Sequence, residues 1–460
     1  MPQPANTTRT RCGFIIFKLK CLSYAALITL TGVAAAQNAQ TSPDPSTSVE
    51  TPMAGSVAAD LPLRINFSQY LQLVRANNLT IAAQKAQIDI ADALIALAAL
   101  FPDPSITTGL ASYEMTKNKL PTISNLGVNF TIEGGRKRAA RTEAAQADKA
   151  RVQADLVRLE ATVQLEATNA YIDQLRARSL QQSWRAAQLI LEKLEQHSQK
   201  QPEKPDILSL VQLRTETLRA QAELDAATAE VYISSRTMMG FVQSETTDLK
   251  RLFEGRGSLE MPAIEGPQTK AQEGFREDVL ASEKAVNAAR KREELSIENR
   301  SMDMNFTVGV NHARAGDYLG TSLPQSNGLT ALLTLPIPFS LRQDGDLRAA
   351  SAATTQALKQ YQDVLHRSSL EGEQARARYG VALSQMQKYS ASAEFTANAL
   401  ASQATLYFAK KAELNDVIVL FKLSNESNSL RVEAQANHAR TMAILLSQAR
   451  DLPAMPFERN

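Results

Sequence analysis

The sequence predicts a mainly α-helical protein with a smaller β section, in which one order of helices and strands occurs twice. From Gly135 to Gln196 the chain has no further glycine, no proline, and many Ala, Arg, Gln, Glu and Leu residues, which favour helix. About 60 residues at 1.5 Å each make a rod of roughly 90 Å, far longer than helices in compact domains. Directly before it, Ile123 to Ile132 alternate apolar and polar side chains as a strand does.

Composition excludes several classes of protein. The 460 residues carry a net charge of +2, and 44% are hydrophobic but only 5% aromatic. The small share of aromatic residues favours alanine-rich contacts between helices over an enzyme-like core. The near-zero net charge indicates no basic surface that would bind nucleic acid. After the N-terminus, the sequence has no uncharged apolar run of about 18 residues, so it predicts no membrane-spanning helix.

The first 36 residues are predicted to be a signal peptide. A basic start precedes the apolar stretch Cys21 to Val33, and three alanines form a cleavage site before Gln37. Both cysteines lie inside this segment, so the mature chain is expected to have no disulfide and no thiolate chemistry. Residues 37–62 form a linker rich in Ser, Thr, Pro and Ala.

Two structural repeats follow, separated by a connector. Each repeat is predicted to run helix, β-hairpin, long helix, turn, helix. In the first, one helix is expected from Asn66 to Leu100, and Asp206 is expected to cap the helix that ends near Met239. The predicted ranges are 63–240 for the first repeat (strands 105–116 and 122–133), 241–271 for the connector, 272–452 for the second repeat (strands 302–312 and 327–337), and 453–460 for a tail.

Sequence matches between the repeats support a duplication. The six residues that start at Gly135 match those that start at Gly345, and the same offset relates His197–Asp206 to Tyr407–Asp416. The segments ahead of the two hairpins match at a smaller offset. The second hairpin is therefore expected to have the longer loop, near Arg314–Asn327.

The four strands have the length of tilted membrane strands, roughly nine to eleven residues. An ordinary half-buried soluble sheet has the same alternation, but here only helices flank the hairpins, with no second sheet to cover them. Four strands cannot close a barrel, and open edges are not stable in lipid. Several chains must then share one barrel, eight strands from two chains or twelve from three.

The signal peptide and the duplicated layout occur together with the junctions Phe130–Arg136 and Leu335–Phe339 with Gly345, and with a closing helix that contains Tyr407 and Asp416. With this ordered set of features, over about residues 62–452, the sequence resembles the TolC family of outer-membrane efflux channels. The Pro-Ile-Pro-Phe segment is similar to a segment of the heavy-metal efflux branch. The resemblance implies a homotrimer with one twelve-stranded barrel in the outer membrane and an α-helical tunnel in the periplasm.

The resemblance also implies a function and partners. The chain would be a passive, gated conduit of a tripartite efflux or type I secretion system, docking onto a periplasmic adaptor and an inner-membrane pump. The alternative is a periplasmic coiled-coil scaffold or adaptor without a pore, and a hydrolase is a distant third. Helices near Lys410–Asp416 would swing outward to open the periplasmic end.

Two groups of site residues follow from the resemblance. The barrel–helix junction is expected at Gly134, Gly135, Pro336, Pro338 and Gly345. The family's tip turns read Tyr-x-x-Gly, with an Asp six residues after the glycine. Here Lys200 and Lys410 replace the glycines, so the turns lack a residue that easily adopts positive φ. The tip residues are Asp206, Asp416, Tyr407, Lys200, Lys410 and Lys411.

Three copies of Asp416 would form a carboxylate ring that favours cations. Alternatively, Asp206 and Asp416 are only helix caps. The four histidines of the mature chain are not at metal-ligand spacing, and no acid–base pair or phosphate-binding loop is visible. We therefore expect no catalytic residue, cofactor or metal. The basic residues Arg136, Lys137, Arg138 and Arg141 fit a solvated helix start or a contact with anionic lipid or substrate.

Overall fold

The computed structural model describes residues 63–112, 122–200, 206–242, 253–262, 276–318, 321–336, 342–448, 452 and 455–457. The predicted signal peptide, the linker, Pro338 and much of the connector and tail lie outside the described residues. In the described part, no helix combines the length and hydropathy needed to cross a membrane.

The described helices and strands follow the predicted order in both halves, so the prediction of a mainly helical fold with a β section is confirmed. The first half contains β1 (Leu63–Ile65), α1 (Phe67–Asn77), α2 (Leu79–Ala98), β2 (Ser105–Ser112), β3 (Thr122–Ile132), α3 (Lys137–Lys200) and α4 (Ile207–Phe241). The second contains β4 (Phe253–Gly255), α5 (Glu277–Glu298), β5 (Met304–Ala313), β6 (Gly316–Tyr318), β7 (Thr321–Leu323), β8 (Ser326–Thr334), α6 (Arg342–Phe408) and α7 (Leu414–Gln448). The long helices α3 and α6 have 64 and 67 residues.

The single helix expected from Asn66 to Leu100 is wrong, because Asn78 divides it. Asn78 has extended backbone, with ψ 122°, and its side-chain oxygen accepts hydrogen bonds from the amides of Thr80 (3.0 Å) and Ile81 (3.2 Å). This is an N-cap. Its side-chain amide also donates to the carbonyl of Phe241 (3.0 Å), which ties the start of α2 to the end of α4.

The four long strands form one antiparallel sheet in the order β2-β3-β5-β8. The central pair, β3 and β5, joins the two halves of the chain, with Val128 opposite Val308 and Phe130 opposite Phe306. The longer loop expected in the second hairpin contains the small antiparallel pair β6–β7. Within the described residues, the outer edges of β2 and β8 have no strand partner.

A second, two-stranded sheet lies at the middle of the long helices. Here β1 pairs in parallel with β4, from the connector, and β4 contacts both α3 and α4. The hydroxyl of Tyr171 contacts the carbonyl oxygens of Ile65 (3.2 Å) and Arg256 (2.5 Å), and the Phe457 ring packs against Tyr171 and Phe67. We call this region the waist. The connector was expected to be a simple link, but part of it is core.

Helix packing separates the molecule into two ends. Toward the four-stranded sheet, helices lie side by side in the order α2-α3-α5-α6. Toward the other end, α3 pairs with α4 and α6 pairs with α7, and α3 also contacts α7. A separate apolar cluster, which includes Leu191, Leu213, Tyr407 and Phe421, is buried at that end.

Candidate functional site

The four-stranded sheet has one apolar and one polar face, and its apolar face is exposed. Phe130, Val310 and Leu329 on the apolar face are 45%, 53% and 87% exposed. On the polar face, cross-strand hydrogen bonds join Thr131 to Asn305 (2.9 Å) and Thr307 to Asn129 (3.1 Å). A soluble sheet buries its apolar face, so this arrangement suits a surface in contact with lipid.

Gly134 and Gly135 make the first strand-to-helix junction. A Cβ on Gly134 would lie 2.0 Å from the carbonyl oxygen of Met302, and Gly135 has φ +66°, which favours glycine. The amide of Gly134 donates to Asp303 (3.1 Å), and its carbonyl accepts from the Ser301 hydroxyl (2.8 Å). The junction between β3 and α3 is therefore held against the segment that leads into β5.

Two of the four basic residues at the start of α3 are ion-paired and partly covered. Lys137 is buried and donates to Asp303 (2.8 Å), and Arg141 pairs with Glu133. Burial favours the neutral form of Asp303, but the hydrogen bonds from Lys137 and Gly134 outweigh it and hold the pKa of this carboxyl below its usual value. These pairs contradict a solvated helix start for Lys137 and Arg141.

The second junction is built differently from the first. Pro336 lies just after β8, whereas Gly345 lies inside α6, which already begins at Arg342. Apart from its chain neighbours and the backbone of its own helix, no atom of the described residues lies within 4 Å of a Cβ added to Gly345. Of the residues expected at the junction, Gly345 therefore lies inside the helix and not at its start. Arg300 and Asp344 form a salt bridge of 2.9 Å between α5's end and α6's first turn.

At the opposite end, His197 of α3 packs against the end of α6. Its ring centroid lies 5.3 Å from Tyr407 and 5.0 Å from Phe408, both edge-on. Burial raises the pKa of Tyr407. Among the described residues, no hydrogen-bond partner faces the Tyr407 hydroxyl or Nε2 of His197. His197 and Tyr407, which occupy equivalent positions in the two repeats, are therefore in direct ring contact.

Lys410 adopts the backbone conformation that a glycine usually supplies. Its φ is +59°, and it is the one described non-glycine residue with positive φ. The Lys410 amide donates to Tyr407 O (2.9 Å) and the Lys411 amide to Leu406 O (2.8 Å), the two bonds of a Schellman motif. The tip turn thus keeps a glycine-like geometry with lysine. Lys200, by contrast, ends α3 in helical conformation.

The tip carboxylates are exposed, and neither acts as a simple cap. Asp416 lies in the first turn of α7, which begins at Leu414, and one of its oxygens accepts from the Gln403 side chain (3.4 Å). The cap role proposed for Asp416 is therefore wrong. Asp206 occupies the N-cap position of α4 without a capping hydrogen bond from its side chain.

Ion pairs that the sequence did not indicate connect α7 to α3 and α4. Lys422 of α7 contacts the mostly buried Glu216 of α4 at 3.1 Å. Nearer the waist, Arg176 of α3 reaches Glu230 of α4 and Glu433 of α7, both at 3.3 Å. These residues are far apart in sequence and no motif marks them.

Comparisons place this architecture among solved structures. No family model and no curated relative matches the sequence. The CmeC outer membrane channel of Campylobacter jejuni is 13% identical, over 86% of this chain and 87% of CmeC, with a TM-score of 0.67. The open state of the MtrE outer membrane channel of Neisseria gonorrhoeae is 12% identical, over 85% and 91%, with a TM-score of 0.68. The chain has the fold of the TolC-family channels.

This confirms, at the level of the fold, the family that the residues suggested. The likeness extends to CusC, described by its transmembrane channel formation, which is 14% identical over 83% of this chain and 91% of CusC, with a TM-score of 0.61. These relatives are channel proteins and not enzymes. Within the described residues, no group of three or more His, Cys, Asp or Glu side chains is placed to hold a metal ion.

Proposed function

We propose that this chain is the outer-membrane channel of a tripartite efflux or type I secretion system, a passive conduit from the periplasm to the exterior. One observation carries the proposal: the sheet exposes a continuous apolar face, including Val128, Phe130 and Val308, while its polar side chains pair on the other face. A coiled-coil scaffold without a pore has no use for such a sheet.

The open edges of the sheet support assembly with further copies. In lipid, the free backbone groups of β2 and β8 need partners, and β8 of one copy can pair with β2 of the next. This strand pairing also brings α6 beside α2 of the neighbouring copy. Leu94 and Leu97 of α2 are exposed and lie on one helix face. Three copies give twelve strands and a lumen, as in the family the chain resembles.

The gate of this conduit is proposed to lie at the tip formed by α3, α4, α6 and α7. Three symmetric copies of Asp416 would surround the axis there and favour cations. Opening moves α6 and α7 outward, and the Lys422–Glu216 and Arg176–Glu433 pairs oppose that movement. The partner that releases the gate is proposed to be a periplasmic adaptor, which joins the channel to an inner-membrane pump. The exposed Lys410 and Lys411 would face this adaptor.

The proposal is tested with the purified full chain. Detergent extraction from the outer membrane, followed by light scattering, is expected to give a trimer, and the trimer is expected to form conducting pores in planar bilayers. A monomer that is soluble without detergent would contradict the proposed conduit. A folded trimer that conducts no current, either as wild type or as the Lys422→Ala variant, would also contradict it.

A further inference from the structure

The four strands of the sheet contain no Asp, Glu, Lys or Arg. Their single ionisable side chain, His312, lies opposite Ser124 and Asn327 on the apolar face, with its Nδ1 2.7 Å from the Asn327 side-chain oxygen. Charges begin only beyond the strands, at Glu133, Asp303 and Arg314. The polar face is therefore uncharged along its full length.

The polar face is also built from short side chains arranged in cross-strand rows. One row contains, from β2 to β8, Gly109, Asn125, Asn311 and Gly328. The next row contains Thr107, Gly127, Gly309 and Thr330. Ile123 and Leu332 are the larger exceptions on this face, and the remaining positions are Gly, Ala, Ser, Thr or Asn.

The two asparagines of the first row lie flat across their neighbouring strands. A Cβ on Gly109 would sit 2.5 Å from Oδ1 of Asn125, and a Cβ on Gly328 would sit 2.3 Å from Oδ1 of Asn311. Each amide therefore occupies the space that the facing glycine leaves open. The two amides lie over backbone atoms and do not project from the sheet. This face is therefore flat and remains polar.

We propose that the barrel section of the channel is a neutral, wettable exit that does not select its cargo by charge. This inference rests on the proposed function, in which the polar face lines the lumen. Charged rings are what give a pore its ion preference, and side chains in the lumen tune selectivity. This lumen has none along its strands, so hydrated solutes of either sign, and neutral ones, pass it equally. Any charge preference of the conduit arises in the helical section.

The test uses cysteine variants, since the only two native cysteines lie in the predicted signal peptide. Asn125→Cys in the full-length trimer is reacted from outside with a cationic and an anionic methanethiosulfonate reagent. The ratio of the two rates is divided by the ratio measured with free 2-mercaptoethanol. A local thiol pKa affects both rates alike and cancels, so the normalised ratio reports the local electrostatic potential.

The normalised ratio is expected to lie within about threefold of one, because no fixed charge acts on the thiol at close range. Adding Asn311→Asp to Asn125→Cys is expected to favour the cationic reagent by about fivefold, since each added carboxylate then lies one strand away. A larger native ratio of either sign, or no response to the aspartate, overturns the neutral exit.

Val128→Cys separates failure of this inference from failure of the proposed function. Val128 lies on the apolar face, so its cysteine is expected to be protected by lipid from both reagents. If Val128→Cys reacts and Asn125→Cys does not, the faces are reversed and the proposed conduit fails. If Asn125→Cys reacts with a strongly biased ratio, the conduit stands and only the charge-neutral exit is wrong.

Discussion

Replacing Lys410 by glycine is expected to stabilise the tip turn. Lys410 has φ +59°, a conformation that costs a residue with a Cβ about 1–2 kcal/mol. Glycine removes that cost but loses roughly 0.5–1 kcal/mol through its greater freedom in the open turn. The net gain is therefore between about zero and 1.5 kcal/mol, which corresponds to at most about a tenfold lower opening equilibrium of the turn.

Hydrogen exchange of the peptide around residues 405–414 measures this effect. The Lys411 amide, which donates to Leu406 O, is expected to exchange up to about tenfold more slowly in Lys410→Gly. Lys410→Ala is the matched control, because it removes the charge but keeps the Cβ. Lys411→Gly is a second control, at a position without positive φ, and is expected to give no protection. Equal protection in Lys410→Gly and Lys410→Ala would refute the backbone argument.

Three further predictions concern the gate and the junction. Asp416→Ala is expected to lower cation selectivity in planar bilayers; an unchanged reversal potential would remove this residue from the gate. Gly134→Ala is expected to reduce folded trimer on unheated gels, because its Cβ would meet a backbone carbonyl at 2.0 Å and such overpacking costs about 1–3 kcal/mol or more; Gly345→Ala, in open space, is the neutral control. The pKa of Asp303 is lowered, so its stabilising effect is present above its ordinary pKa of 3.8 and lost as pH falls through the lower native value. The difference in melting temperature between wild type and Asp303→Asn should therefore shrink in acid, and a difference that grows as the pH falls would contradict this linkage.

The sequence predicted the long helices and the strands well because those signals are local. The run after Gly135 has uniform helix propensity, and the alternation of Val128, Phe130 and Ile132 has the period of a strand. The division at Asn78 was missed, although asparagine before an apolar helix is a recognisable cap. Because the apolar pattern continues past Asn78, the segment was interpreted as one long helix.

Other features depend on contacts that no local pattern reports. The connector strand β4 has three residues and gains its partner, β1, from far along the chain. The Lys422–Glu216 pair likewise joins two helices that only the tertiary fold brings together. At the tip, the sequence showed lysine at position 410, where the family has the glycine that easily adopts positive φ. The Schellman hydrogen bonds instead impose that conformation on lysine.

The waist has a consequence for the order of biogenesis. Phe457, the last described residue, packs against Phe67 near the start of the described chain and accepts a backbone hydrogen bond from Ser258 (3.0 Å) in the connector. A nascent or truncated polypeptide lacks this closing ring, so it cannot complete the central core. Because a polypeptide is made from its N-terminus, this core can be completed only after Phe457 has been synthesised.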